Sequence, residues 1–276
     1  IYFYFIYYSI KKINIKIIYA ILKSAFKRLI NNVKKKIGII VKIFYKKKIK
    51  KNSKNKISVI LPVYNSDEYI YESVKSILDQ DHQNIELIIV DDCSTDRTSE
   101  IIECFFLKNK RIKYFKNKSR MGVSSSLNFA LKQCSGDYIA RMDADDKCIN
   151  TRFSYQIKLF KSLKSVDILS NGVKYFGKKN KIHYNRFSLT NSQILSRIFF
   201  YNPINHPTIF FHKKIKNKLI YDSNINGFED WVLWINLITN GIKFYCDNKV
   251  VINYRLHKFN NSKNINNRIM LTKINL

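Results

Sequence analysis

Short runs of β-branched and aliphatic residues alternate with amphipathic stretches over residues 57–143, and this alternation constrains the fold more than any other feature. The runs ISVILPVYN (57–65), ELIIVDD (86–92) and DYIARMD (137–143) predict buried strands, and KYF (113–115) predicts a short one. Stretches with helical spacing of apolar residues lie between these runs. Strands and helices in this order are typical of an α/β fold with an open, mostly parallel sheet flanked by helices.

Helices are expected after each of the first three strands. One face of the first helix carries Ile70, Val74, Ile77 and Leu78. Ser66 or Asp67 is expected to cap this helix, and Ser94 or Thr95 is expected to cap the next, because short polar side chains satisfy the free N–H groups of a helix start. A third helix is predicted over residues 124–134.

Polar residues follow three of the predicted strands, where ligands bind in open α/β sheets. They are Tyr64 and Asn65, then Asp91 and Asp92, and finally the acidic turn Asp143–Asp146. Three carboxylates within four residues repel one another unless a cation neutralises them, and oxygen ligands select Mg²⁺ or Mn²⁺. An ordinary acidic turn is the alternative for the last group, and a helix cap is the alternative for Asp91-Asp92. Their position at strand ends of one sheet favours a joint site.

In order and spacing, these segments resemble the family 2 glycosyltransferases, which have the GT-A fold. The resemblance rests on ISVILPVYN, ELIIVDDCSTD, the RMG of KSRMGVSSSLNFAL and GDYIARMDADD. It is close over residues 57–160 and looser to about residue 262. It implies a glycosyltransferase domain over residues 57–262, with a nucleotide-binding half (57–150), an acceptor half (151–262) and a C-terminal tail (263–276).

The resemblance also implies roles for single residues. The nucleotide contacts that it implies are Pro62, Tyr64, Asp91, Asp92, Arg120 and Asp143. The family's DxD motif corresponds to Asp143 and Asp145, which would bind Mn²⁺ or Mg²⁺ together with the diphosphate of a UDP-sugar, and Asp146 is adjacent. His257 is a further candidate metal ligand, and Arg255 is a candidate phosphate contact, because NYRLHKFNNS (253–262) resembles the loop that folds over the diphosphate. A strand edge with a basic tail is the alternative.

A second acidic motif lies in the acceptor half. Inverting transfer needs a carboxylate that takes the proton of the acceptor hydroxyl. GFEDWVLWINLI (227–238) places Glu229 and Asp230 at the start of an apolar helix, where the helix dipole alone would favour acids. The stretch resembles the family's ED motif, which implies Asp230 as the base and Glu229 as an acceptor-binding neighbour. Trp231 is expected either to stack on a sugar or to lie in the core.

Two departures from the family pattern and one histidine complete the candidate residues. His206 precedes a proline in a segment expected to be extended, and it either faces the active site or is structural. DDKCINTRF carries Asn150 and Thr151 where the family usually has a proline and an acidic residue. A nucleotide-binding pseudoenzyme therefore remains an alternative to an active transferase.

The net charge of +30 is unevenly distributed, since residues 1–56 hold 17 Lys and Arg and no acid precedes Asp67. Apolar residues recur at helical spacing from Ile15 to Val33, with lysines beside them, and residues 46–56 read as a linker. This basic helical arm is expected either at an anionic membrane surface or docked on the protein itself. We therefore expect a cytoplasmic protein at the inner face of the cell membrane.

The sequence argues against two other classes that the charge or the sheet would allow. A nucleic-acid binder is not expected, because carboxylates at strand ends repel phosphates, and no nucleic-acid partner is predicted. A nucleotide-sugar pyrophosphorylase would need a basic, Gly-rich loop that LPVYNSDEY lacks. We expect an inverting, metal-assisted glycosyltransferase that moves a sugar from a UDP-sugar to a saccharide or lipid-linked acceptor in cell-surface polysaccharide or glycolipid synthesis. A basic protein that binds membranes or nucleic acid is the less favoured alternative.

Overall fold

The polar residues singled out above follow strands of one sheet in the structure, a computed structural model that describes residues 55–177, 187–225 and 227–258. The strands are β1 (Ile57–Val63), β2 (Ile85–Asp91), β3 (Ile112–Lys116), β4 (Tyr138–Arg141), β5 (Lys147–Cys148), β6 (Ile168–Gly177), β7 (Phe210–His212) and β8 (Phe244–Leu256). The helices are α1 (Ile70–Leu78), α2 (Thr98–Phe106), α3 (Val123–Gln133), α4 (Arg152–Ser162), α5 (Asn191–Ile198) and α6 (Glu229–Thr239). Two 3₁₀ segments cover His206–Thr208 and Lys213–Lys218.

The strands lie in the order β3-β2-β1-β4-β7-β6-β8-β5. Neighbours among β1, β2, β3 and β4 pair in parallel, and so do β6 and β8. β7 is antiparallel to both of its neighbours, and β5 is antiparallel to β8, so six of the eight strands point the same way. The predicted open, mostly parallel α/β sheet is confirmed. β4 of the predicted nucleotide-binding half pairs with β7 of the predicted acceptor half, so both halves contribute strands to one sheet. The boundary at residue 150 stays a prediction.

Apolar side chains cover both faces of the sheet, as the near-continuous β-branched runs require. On one face, alternate β1 residues such as Val59 and Leu61 pack with α1, α2 and α4. On the other face, Ile60 and Ile88 pack with α3, α5 and α6. The chain leaves β1 toward β2 and β3 and then returns to β4 on the other side of β1, so the strand order reverses between β1 and β4. Ligands bind at such a reversal in open α/β sheets.

The first-half strands were predicted to within a few residues, but the predicted helix caps are wrong. α1 begins at Ile70 because Ser66 and Asp67 belong to a preceding turn, in which the Ser66 carbonyl accepts from the N–H groups of Tyr69 and Ile70. α2 begins at Thr98, whose N–H donates to the Asp96 carboxylate at 2.9 Å. The side chains of the predicted caps of α2 bond the neighbouring loop instead.

Several expectations fall outside the described residues. They are the amphipathic helix over 15–33, most of the linker and the tail beyond residue 258. Within the described ranges, no helix is both long enough and apolar enough to cross a membrane. The segment around His206 was expected to be extended and forms a 3₁₀ turn, because the Asn205 carbonyl accepts from the Thr208 N–H at 2.9 Å.

Candidate active site

The loops after β1 and β2 are tied together beside the sheet edge. The Asn65 N–H donates to the Ser94 hydroxyl at 3.0 Å, and the Thr95 N–H donates to the Asn65 side-chain oxygen at 2.9 Å. Asn65 adopts a left-handed backbone (φ 45°), and so does Cys93 (φ 63°), as sharp turns at a strand end require. These contacts use the two residues that were expected to cap α2, which explains why neither caps it.

Asp91 and Asp92 organise the loops around this edge. The Asp91 carboxylate is fully buried and accepts from the Ser94 N–H (2.8 Å) and from the hydroxyls of Ser99 (2.6 Å) and Tyr114 (2.9 Å). Its oxygens are thus bound by the protein's own donors. The predicted nucleotide contact of Asp91 stays a prediction, and the structure gives it a role in holding the loop after β2.

Asp92 connects β2 to the segment that carries Arg120. Its carboxylate accepts from Asn117 Nδ2 and from the N–H groups of Met121 and Gly122, each at 2.8 Å. This places the exposed Arg120 guanidinium over the Tyr64 ring, 4.1 Å from the ring centroid.

Tyr64 and Arg120, both predicted nucleotide contacts, are therefore neighbours and form a cation–π pair on which a planar base could stack. Pro62 is buried in β1, two residues before Tyr64, and pairs with Val90 of β2.

Asp143, Asp145 and Asp146 form one carboxylate cluster, here called the aspartate triad, whose oxygens lie within 4.8 Å of one another. The turn that carries them is held by α1, since the Ser73 hydroxyl donates to the Asp143 carbonyl at 3.0 Å. Asp143 forms a bidentate ion pair with the buried Arg141, with both N–O distances at 2.5 Å.

The environment of the triad makes its negative charge costly. Burial raises the pKa of Asp143 to about 6, with Asp145 adding to the effect and Arg141 opposing it. Burial also raises the pKa of Asp146 well above its usual range. Asp146 Oδ2 is buried without a hydrogen-bond partner in the part of the chain that the structure describes. Closely spaced carboxylates with such an oxygen fit a hard divalent cation.

The C-terminal end of β8 closes the triad from the other side. His257 Nε2 lies 2.8 Å from Asp145 Oδ2, and the Arg255 N–H donates to Asp146 Oδ1 at 2.8 Å. Arg255 Nε also donates to the Asp145 carbonyl at 2.8 Å. The structure thus brings both predicted residues of the C-terminal segment to the predicted metal ligands.

Glu72 of α1 was missed by the sequence analysis and holds the Arg255 guanidinium at 2.6 Å. The same guanidinium lies over the rings of Tyr69 (4.7 Å) and Phe176 (4.6 Å). Lys147 Nζ contacts Glu72 at 2.8 Å, so two cations stand beside the triad. A lone Glu on an amphipathic helix gives no sequence signal of this role.

Asp230 lies at the start of α6 with a side chain that is 20% exposed. Its Oδ2 accepts from Asn202 Nδ2 at 3.0 Å, and its Oδ1 accepts from the Trp231 N–H at 2.7 Å. Burial, and next the charge of Glu229, raises the pKa of Asp230 to about 6. A carboxylate that titrates near neutral pH and keeps some exposure suits general-base catalysis.

His206 lies beside the candidate base. Its Nδ1 is 3.9 Å from Asp230 Oδ2, its Nε2 is 2.8 Å from the Tyr221 hydroxyl, and its ring packs edge-on against Trp234. Burial holds the pKa of His206 well below its usual range, so the ring is neutral at physiological pH. His206 therefore supports the position of Asp230 without adding a charge.

Glu229 and Trp231 have structural contacts. Glu229 Oε2 accepts from the N–H of Gly227, whose φ of 85° belongs to a tight turn before α6. Trp231 is half-buried, and its Nε1 donates to the Ile198 carbonyl at 2.6 Å, which anchors α6 to the end of α5. Of the two expectations for Trp231, these contacts favour the packing role.

The two departures from the family pattern lie at the start of α4. The Asn150 side chain bonds the Asp79 carbonyl, and the Asn150 carbonyl accepts from the Asp81 N–H at 3.0 Å. These contacts secure the helix start to the end of α1. The triad keeps its spacing and its partners without the usual proline.

Comparisons with known proteins agree with this geometry. The Glycosyl transferase family 2 model matches residues 58–225. WfaP of Escherichia coli, described as a UDP-Glc:alpha-D-GlcNAc-diphosphoundecaprenol beta-1,3-glucosyltransferase, is 35% identical over 202 residues, or 73% of this chain and 77% of WfaP. The uncharacterized glycosyltransferase MJ1057 of Methanocaldococcus jannaschii is 32% identical over 205 residues, or 72% of this chain and 70% of MJ1057. An uncharacterized glycosyltransferase of Rickettsia bellii is 33% identical over 193 residues, or 68% of this chain, which spans only 27% of that relative.

Solved structures show the same fold. Residues 1–349 of Staphylococcus aureus TarS in complex with UDP are similar at a TM-score of 0.59 and 25% identity, over 73% of this chain and 60% of that one. The complex of the same TarS fragment with UDP-GlcNAc gives 0.59 and 26%, over 74% and 59%. The expected GT-A fold is thereby confirmed. The chain belongs to glycosyltransferase family 2.

Proposed function

We propose that the protein is an inverting glycosyltransferase that moves a sugar from a UDP-sugar to a saccharide or lipid-linked acceptor in cell-surface polysaccharide or glycolipid synthesis. The observation that carries this proposal is the pair of carboxylate centres, namely the aspartate triad and Asp230. Burial raises the pKa of Asp143 and of Asp230 to about 6 and raises the pKa of Asp146 well above its usual range. One centre suits the diphosphate of the donor, and the other suits the hydroxyl of the acceptor.

On the donor side, Tyr64 and Arg120 offer a surface for the nucleotide base. Asp143, Asp145 and Asp146 would hold Mn²⁺ or Mg²⁺, with His257 beside them. When bound, the cation neutralises charge on the departing diphosphate. Arg141 fixes the orientation of Asp143 through two hydrogen bonds, so the geometry of the triad is set before the donor binds.

On the acceptor side, Asp230 takes the proton of the attacking hydroxyl. The acceptor oxygen forms a bond to the anomeric carbon of the donor sugar from the face opposite UDP. The bond from that carbon to the diphosphate oxygen breaks, and its electron pair leaves with UDP. Asn202 orients one oxygen of Asp230, and the neutral His206 leaves the base without a competing positive charge.

The relatives support a UDP-sugar as donor. The TarS structures contain UDP and UDP-GlcNAc, and the name of WfaP specifies a UDP-Glc donor and an acceptor linked to diphosphoundecaprenol. A screen of UDP-sugars for UDP release, with and without Mn²⁺, identifies the donor. Metal-independent UDP binding that survives Asp145→Asn would contradict the assignment of the triad.

The variant Asp230→Asn tests the base. It is expected to lower transfer by roughly 10²–10⁴-fold because general-base catalysis contributes about that much. UDP affinity in the presence of Mn²⁺, measured by calorimetry, is expected to stay within about threefold, since the Asp230 carboxylate bonds Asn202 and the Trp231 N–H, neither of which is a predicted nucleotide contact. The matched control is Asp79→Asn, which changes an exposed aspartate in a surface ion pair with Lys75. Undiminished transfer by Asp230→Asn would assign the base elsewhere.

A further inference from the structure

Three polar residues that form hydrogen bonds with one another are buried, and the proposed mechanism uses none of them. They are Gln156 of α4, Asn171 of β6 and Thr208 of the 3₁₀ turn that begins at His206, each at most 1% exposed, and we call them the buried link. Burying an amide or a hydroxyl costs free energy unless its donors and acceptors are paired. The partners of these side chains therefore show what the buried link holds in place.

One end of the buried link reaches the aspartate triad. Arg152 and Gln156 lie four residues apart on α4 and so share a face of the helix, where Gln156 Oε1 accepts from Arg152 Nε at 3.0 Å. Arg152 Nη2 donates to the Arg141 carbonyl at 2.9 Å, and the Arg141 side chain holds Asp143 by two hydrogen bonds. Two residues thus connect Gln156 to a predicted metal ligand.

The other end of the buried link reaches the candidate base. Gln156 Nε2 donates to the Thr208 carbonyl at 2.7 Å. Thr208 is the last residue of the turn that begins at His206, whose Nδ1 lies 3.9 Å from Asp230 Oδ2. The Thr208 hydroxyl donates to the Asn205 carbonyl at 2.8 Å, which closes the turn on itself. A displacement of Gln156 would therefore move the turn that carries His206.

The surroundings of Gln156 require a neutral amide. Its Nε2 has a second acceptor, Asn171 Oδ1, at 2.8 Å, and Asn171 Nδ2 donates to Asp247 Oδ2 at 2.9 Å, which orients the Asn171 amide. Gln156 thus meets one N–H with its oxygen and two oxygens with its nitrogen. A carboxylate could keep the contact to Arg152 but would lose the other two, because it has no donor.

The two carboxylate centres also act on a common cation. Burial by itself would lower the pKa of the Arg141 guanidinium, but the charges of Asp143 and Asp230 are among those that raise this pKa above its usual value. Both centres therefore lie within electrostatic range of the residue whose carbonyl Arg152 holds. The metal site and the base depend on the same supporting residues.

We propose that Gln156 is a positioning residue that fixes the spacing between the aspartate triad and Asp230. Transfer requires the anomeric carbon, held through the donor diphosphate, to be aligned with the acceptor oxygen, held at Asp230. A misplacement of about 1 Å costs up to about 10²-fold in rate. This inference rests on the proposed function and adds to it a residue that acts on the reaction through Arg152 and Thr208.

Gln156→Glu tests the inference in the full chain, because it keeps an acceptor for Arg152 and removes the donor to Thr208. The measured rate is UDP release from the UDP-sugar that the screen selects, with water as the acceptor until a saccharide is identified. We expect kcat to fall by roughly 10- to 10²-fold, while the KM of the UDP-sugar and the UDP affinity with Mn²⁺ stay within about threefold. Calorimetric counting of UDP-binding sites normalises the rate, so that unfolded protein does not contribute to the difference.

A second background separates positioning from a loss of stability. Once Asp230→Asn has removed the base, adding Gln156→Glu should lower kcat no further, because the effects of residues that act as a unit are not additive. The matched control is Gln80→Glu, since Gln80 is also buried and donates to the carbonyls of Ser76 (3.1 Å) and Ile149 (2.9 Å). This control should lower the free energy of unfolding and leave kcat per binding site unchanged.

Full kcat in Gln156→Glu would overturn the inference, and so would an equal loss in Gln80→Glu or a further loss in the Asp230→Asn background. Gln156→Met buries no charge and replaces the first variant if the carboxylate prevents folding. It breaks both contacts of the side chain, so kcat should fall at least as far, and full kcat would again overturn the inference. A screen in which no UDP-sugar releases UDP from the unaltered protein would instead contradict the proposed function itself.

Discussion

At the level of single residues, the pKa of the candidate base predicts how activity depends on pH. Burial and the charge of Glu229 raise the pKa of Asp230 to about 6, so the carboxyl is protonated and inactive as a base below that pH. At saturating Mn²⁺, kcat/KM is expected to rise between pH 5 and 7 with an apparent pKa near 6. Glu229→Gln removes a negative charge and should move this rise to lower pH. A rise that stays in place would assign it to another group.

Arg152 is a buried residue of α4 that supports the turn carrying the aspartate triad. Its guanidinium is fully buried and donates to the Arg141 carbonyl (2.9 Å) and to Gln156 Oε1 (3.0 Å), and Nη1 lies 3.4 Å from Cys148 Sγ. It thus clamps the residues on both sides of the triad. Nothing in the sequence analysis singled it out, because an Arg at a helix start normally faces solvent.

The variant Arg152→Met is therefore expected to weaken Mn²⁺ binding about tenfold or more, as the loss of an outer-shell contact predicts. It should also lower the free energy of unfolding by about 2 kcal/mol, since two buried oxygens lose their donor. Manganese titration by electron paramagnetic resonance and chemical denaturation measure the two effects. Arg152→Lys should restore part of the metal affinity, whereas an affinity unchanged in both variants would show that the triad sets its own geometry.

The site residues inferred from the sequence differ in how well the pattern could specify them. Asp143, Asp145 and Asp230 were predictable because three acids in one turn, or two at a helix start, leave a strong local signal. Asn202 and Glu72 were not, since each acquires its role from a residue far along the chain. Asp91 was identified from its motif, yet its contacts to Ser94, Ser99 and Tyr114 depend on the fold.

At the level of elements, the strands of the first half were predictable because β-branched residues run without interruption. β8 was not, because its 13 residues mix buried and exposed positions and pair with β6 from far away in the sequence. The starts of α1 and α2 were misplaced for a physical reason. The polar residues before these helices form hydrogen bonds between the loops after β1 and β2. Such contacts between distant segments cannot be inferred from the local sequence, which indicates only a polar residue near a helix start.

Glu86 lies near the start of β2, at the end of the strands opposite the candidate site, and joins several elements there. Its carboxylate accepts from Lys56 Nζ (2.8 Å), the Ser58 hydroxyl (2.5 Å) and the Ser135 N–H (2.7 Å), and Lys113 Nζ lies at 3.0 Å. Burial alone would raise the pKa of Glu86, but these contacts outweigh it and hold the pKa well below its usual range. The stabilisation is present above the pKa of the unfolded chain and is lost as the pH falls through the folded value.

Glu86→Gln is expected to lower the free energy of unfolding by about 2 kcal/mol at pH 7, because charge-assisted hydrogen bonds become neutral ones. The difference from the unaltered protein should shrink as the pH is lowered from 5 toward 3. Urea denaturation at several pH values measures it, with the exposed Glu103→Gln as control. A difference that is independent of pH would mean that the carboxylate charge contributes nothing.

At the level of the whole molecule, the acids begin only at Asp67, after a stretch that carries basic residues alone. The acids that matter lie at strand and helix ends of the described body, whereas 17 of the 50 Lys and Arg lie in residues 1–56. We propose that this arm holds the protein at the cytoplasmic face of the cell membrane.

Replacing Lys16, Lys23, Lys27 and Lys34 by Gln tests the arm. Each lysine near an anionic surface contributes about 1 kcal/mol, so binding to vesicles that contain phosphatidylserine should fall by roughly 10²-fold or more. UDP binding should be unchanged, which a parallel titration checks. Vesicles of phosphatidylcholine alone serve as the control, and binding that is equal in both proteins would favour an arm docked on the protein itself.

The contact between the end of β8 and the aspartate triad has a consequence for synthesis on the ribosome. Arg255 and His257, which contact Asp146 and Asp145, are made more than a hundred residues after them. A growing chain can form β1–β4 and the acidic turn early, but the triad lacks these partners until β8 has emerged and paired with β6. Completion of the catalytic site is thus coupled to completion of the domain, and a chain that stops before Arg255 carries a donor site that is still open on one side.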